Sequence, residues 1–161
     1  MKAKTEAQKR ACEKTSEYLF ALFGEINVTV FEESFILQEG STFVYVRVLP
    51  VGAKQSCVEV SSHVVVDVDV TEALMRFLLT NNLRLTLGGF ALAIDEKGKG
   101  TVILSHTILG ETMSKEELFV SVSAIARVAD DLDDQIVTTF GGRTALTEMQ
   151  AHQAPPEYWE E

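Results

Sequence analysis

A chain of 161 residues is long enough for one domain with its own core, so it needs neither a disulfide nor a metal to be stable. Its 14 basic and 24 acidic residues leave a net charge of −10. A field of that sign repels phosphate backbones, which excludes general nucleic-acid binding and favours neutral or basic partners. No run approaches the roughly 18 apolar residues of a membrane helix, so no membrane partner is expected. The opening MKAKTEAQKRACEKTSEY has no apolar core for a signal peptide and too many acids for a transit peptide. Cytoplasmic residence is therefore expected. Cys12 and Cys57 stand 45 positions apart with no metal or redox spacing, and read as reduced thiols.

A first helix is predicted over residues 5–23. Ala7, Ala11, Tyr18 and Leu22 form its stripe, Leu19 and Phe23 lie alongside, and Gly24 ends it. Five basic residues fall among the first 14 (Lys2, Lys4, Lys9, Arg10, Lys14). They read as a solvated first turn helped by the i,i+4 pairs Glu6–Arg10 and Lys9–Glu13. From Asn27 the apolar period changes to two, and three antiparallel strands follow. The first runs from Val28 to a turn at Glu39-Gly40-Ser41, the second through Phe43, Tyr45, Arg47 and Leu49 to Pro50-Val51-Gly52. The third carries Val58, Val60, Ser62, Val64 and Val66 inward, with Glu59, Ser61, His63 and Asp67 opposed.

A second helix is expected to start near Asp69, with Asp69 and Glu72 in capping-box relation, and to end at Asn81-Asn82. It is apolar on most of its circumference, so it is either fully buried or shared with a second chain. Leu74, Phe77 and Leu78 are the candidate contacts of a homodimer. Two strands over 83–94 and 101–109 flank a polar hairpin loop, Asp95–Gly100. Gly88-Gly89 inside the first of them marks a bulge or a close approach of a helix or ligand.

The last helix is the best-marked element. Ser114 and Glu117 form a capping box, and Leu118, Val122, Ile125, Ala129, Leu132 and Ile136 recur at steps of four and three. Gly141 supplies the stop. From Lys115 to Phe140 it would be roughly 39 Å long at about 1.5 Å per residue. Residues 1–144 are thus expected to form one α+β domain, an antiparallel sheet with flanking helices in the order α-β-β-β-α-β-β-α. Residues 145–161, with four glutamates and no Lys or Arg, are expected to form a flexible acidic tail in which Tyr158 and Trp159 are a candidate docking motif.

Little in the chain points to catalysis. Asp130-Asp131-Leu132-Asp133-Asp134 spells a DDxxD string that could hold magnesium, but a second carboxylate cluster and an all-helical cavity are missing. Asp130, Asp133 and Asp134 read instead, with Arg127, as the solvent face of the last helix. His63, His106 and His152 have no second ligand at metal spacing. Ser61 and Ser62 beside His63 carry no nucleophile geometry, and no phosphate-binding, dinucleotide or zinc motif is present. No catalytic residue, metal ligand or cofactor is assigned.

The stretch from Asn81-Asn82 through Leu87-Gly88-Gly89-Phe90, the acidic-glycine hairpin, the Ser114–Leu118 opening and Phe140-Gly141-Gly142 resembles YbjN-like proteins, cyanobacterial members above all. That family shares its fold with type III secretion chaperones. The resemblance covers about residues 5–143. It implies a helix–sheet–helix domain, a homodimer and no enzymatic activity. The expected function is a chaperone-like peptide- or protein-binding module. Two other readings are a regulatory subunit docking a larger complex through its tail and, more remotely, a carboxylate-dependent metal enzyme.

Overall fold

The computed structural model describes residues 3–147. Helix α1 (Glu6–Phe23) begins at Thr5, whose hydroxyl accepts the Gln8 N–H, and ends at Gly24. After a 3₁₀ turn (Glu25–Asn27) come β1 (Thr29–Phe31), β2 (Ser34–Glu39), β3 (Thr42–Val51) and β4 (Gln55–Asp69), then α2 (Glu72–Asn82). The strands β5 (Gly89–Ile94) and β6 (Lys99–Leu109), α3 (Lys115–Phe140) and a short β7 (Arg143–Thr144) follow. The sheet runs β1-β2-β3-β4-β6-β5, and β7 pairs with β4 at Val65 and Val66, beyond the end of β3. Fold class and element order are those expected from the sequence.

Three boundaries differ, each for a local reason. The first predicted strand is two, because Glu32-Glu33 turns the chain with Glu32 at a φ of 51°. Helix α2 is capped by Thr71, whose hydroxyl accepts the Leu74 N–H at 3.2 Å. Asp69 instead finishes β4, opposite Lys99, and pairs with that lysine's ammonium at 2.9 Å. Strand β5 begins at Gly89. At Gly88 (φ +74°) a Cβ would lie 2.6 Å from the Ser105 carbonyl oxygen and 3.2 Å from Ile125 of α3, so the glycine pair does mark a close approach.

The inner face of the sheet carries Val44, Val46, Val48, Val58, Val60, Val102 and Leu104, all buried. Helices α1 and α3 pack together across β4 and β3, and α2 packs beside them against β5. The predicted alternation in β4 breaks at two bulges, after His63 and after Val65, which turn both Val64 and Val65 into the core. On α3 the capping box is present and Leu118, Val122, Ile125, Ala129 and Ile136 are buried. The larger of these, sealed from water, each contribute about 1.5–3 kcal/mol. The outer face is polar at its centre, where Arg47 pairs with Glu59 and the Tyr45 and His63 rings lie 5.2 Å apart. Among the described residues no helix covers that face.

Candidate functional site

The acidic run is not uniformly solvated. Asp130 and Asp134 are exposed, but Asp133 is only 1% exposed, which corrects its assignment to the solvent face. The turn between β2 and β3 accounts for this. Ser41 donates its backbone N–H to Asp130 Oδ1 at 3.0 Å, and its Oγ lies 3.1 Å from the same oxygen and 2.6 Å from Asp133 Oδ2. The Asp134 N–H donates to Asp133 Oδ1 at 2.6 Å. The Ser41 hydroxyl donates to Asp133 Oδ2, while Asp130 Oδ1 is served by the Ser41 N–H. Burial raises the Asp133 pKa from its ordinary value, against the lowering effect of the bonds its carboxylate accepts from Ser41 and the Asp134 N–H. Gly40 (φ +56°) lets the turn approach this closely, since a Cβ there would meet Asp130 Oδ1 at 2.2 Å. The carboxylates are thus tied into a clamp between a hairpin and a helix. Among the described residues no three His, Cys, Asp or Glu side chains are grouped to hold a metal ion.

Beside the clamp runs a groove of about 520 Å³ between α3 and the β2–β3 hairpin. Leu37, Val44, Val122 and Ala126 line its apolar floor, and Phe23 and Asn27 line its α1 end. Glu39, Asp130, Asp131 and Arg127 stand among its lining residues. A second groove of about 540 Å³ separates α2 from α3, with Phe77 and Phe140 rings 5.4 Å apart and Leu132 beside them.

The candidate dimer contacts are divided by the fold. Leu74 and Leu78 are buried in the chain's own core, and Phe77 is half-buried against Phe140. What α2 and its C-cap residue leave outside is Met75, Leu79 and Leu83, at steps of four and 43%, 68% and 89% exposed. The edge near α1 is also apolar and open, with Ile26, Val30 and Phe31 exposed. Sequence reading missed this edge because three residues are too few to show a period. Tyr158 and Trp159 lie outside the described residues. Cys12 and Cys57 are both free thiols, raised in pKa chiefly by burial.

The groove thus combines an apolar floor with polar and charged walls, of which Asp130 is held in place by Ser41. The profile of a family described as T3SS (YopN, CesT) and YbjN peptide-binding chaperone 1, or TY-Chap1, matches residues 13–148. The chain belongs to the TY-Chap1 family. Among solved structures it is similar to YbjN from E. coli, at 12% identity and a TM-score of 0.51, over 77% of this chain and 92% of that one. It is also similar to a chain of the ExsC–ExsE complex, at 19% identity and a TM-score of 0.49, over 76% and 92% respectively. No curated protein matches. The chain has an α+β fold with an antiparallel sheet flanked by helices, and the family it belongs to is described as one of peptide-binding chaperones. No helix of the described residues is long and apolar enough to cross a membrane.

Proposed function

We propose that this chain is a non-enzymatic peptide-binding chaperone that acts in the cytoplasm as a homodimer joined through α2. The observation that carries the dimer is the exposed row Met75, Leu79 and Leu83, on a helix whose opposite side is already committed to the core. A helix apolar on both sides needs a second surface, and a twofold pairing of identical rows is the simplest way to supply one. Phe77 borders the row, while Leu74 and Leu78 act from within by fixing the helix on the sheet. The peptide-binding part is supported by family membership and by the open groove beside α3, with its apolar floor.

Light scattering over a dilution series tests the dimer. The expected mass is near twice 17.8 kDa for the wild type and near the monomer for Leu79→Glu, with unchanged circular dichroism. A wild-type protein that stays monomeric, or a folded Leu79→Glu protein that stays dimeric, overturns this assembly. Peptide binding is expected to survive deletion of residues 148–161. Loss of binding on that deletion would favour docking through the tail.

A further inference from the structure

The groove between α3 and the β2–β3 hairpin has a more specific chemistry than its family membership requires. We propose that it seats an apolar side chain of a partner peptide whose flanking residues are lysine or arginine. This inference rests on the peptide-binding reading above. Its floor is apolar, through Leu37, Val44, Val122 and Ala126, and at about 520 Å³ it has room for a large aliphatic or aromatic side chain together with some flanking chain. Three carboxylates, Glu39, Asp130 and Asp131, line it against the single guanidinium of Arg127. That balance selects for cations on either side of the apolar anchor. Asp130 is also held in place by the Ser41 N–H, so its charge is positioned before any ligand arrives. A fixed charge spares the partner the ordering that a mobile side chain would need. The chain's own segment 145–161 brings four glutamates and no Lys or Arg, so the rim repels it.

Fluorescence anisotropy on the full-length protein tests this with three short labelled peptides. All share a Phe-Leu centre, flanked by lysines, by serines or by glutamates. The lysine peptide is expected to bind about tenfold tighter than the glutamate peptide, a modest exposed ion pair on each side being enough for that ratio. The double variant Glu39→Lys/Asp131→Lys, which spares the Ser41 clamp, is expected to reverse the preference. Ala126→Trp, which fills the floor, is expected to weaken all three peptides. Equal binding of the lysine and glutamate peptides, or a preference unchanged in the double variant, overturns the groove assignment and leaves peptide binding standing. Binding of none of the three overturns the peptide-binding reading itself. A change of mass in the double variant would place a second copy in the groove and likewise overturn the proposal.

Discussion

Asp133 shows how one buried carboxyl can organise a contact between distant parts of a chain. An acid whose pKa is raised by folding binds its proton more tightly in the folded state than in the unfolded one. Its contribution to stability is therefore fully present below the unfolded carboxylate pKa and is lost as pH rises through the folded value. Asp133→Asn removes the titrating group and keeps an oxygen that accepts from Ser41. It is expected to lack the wild type's decline in melting temperature as pH rises through the folded carboxyl's pKa. Melting curves of both proteins across that range check this, and an equal decline in the variant would overturn it. Thr15 and Ser62 present the opposite case, since both hydroxyls are sealed from water and have no partner. Thr15→Val keeps the shape and removes an unpaired polar group, so it is expected to stabilise by about 1 kcal/mol, read from the denaturant midpoint. Neither feature was legible in the sequence. With about 100° per residue, positions 132 and 133 flank the Ala129–Ile136 stripe from opposite sides at similar angles, and polarity alone assigned Leu132 to the core. The Ser41 hydroxyl, distant in sequence, reverses that choice by giving the aspartate a partner.

At the scale of elements, legibility followed the density of local signals. Helix α3 has a capping box, a long stripe and a glycine stop, and the observed Lys115–Phe140 helix matches the predicted one at both ends. Helix α2 was read as starting near Asp69 with Glu72, whereas its cap is Thr71. Lys99 draws Asp69 into the sheet through a contact that no local window contains. The bulges of β4 were hidden for a similar reason. A run of valines reads as an inward face at either parity, and only the pairing with β6 and β7 fixes which of Val64 and Val65 turns in. The all-round apolar character of α2 was visible, but the division between an inner side of Leu74 and Leu78 and an outer row of Met75, Leu79 and Leu83 needed the helix to be docked.

The whole molecule is governed by its charge. Two chains of −10 each repel one another, whereas each attracts a cationic peptide. Raising ionic strength screens both effects. Dimerisation is thus expected to tighten with added salt while binding of the lysine-flanked peptide weakens. Sedimentation and anisotropy at low and high sodium chloride read the two trends, and trends of the same sign would remove long-range charge as the controlling force. The groove itself was not legible beforehand. Its walls come from three separate elements, and its acidic rim looked like ordinary helix surface until the hairpin was placed beside it.

The position of α3 in the chain has a further consequence for biosynthesis. Strands β1 to β4 pair with their immediate sequence neighbours, so they can form hairpins as soon as they leave the ribosome. Part of their valine-rich inner face then waits for α3, which follows only after α2, β5 and β6. At 5–20 residues per second the 26 residues of α3 take about 1–5 s to emerge. Throughout that interval the part of the nascent sheet that α1 leaves uncovered presents an apolar surface. The nascent chain is thus most exposed to aggregation in the interval before α3 has emerged.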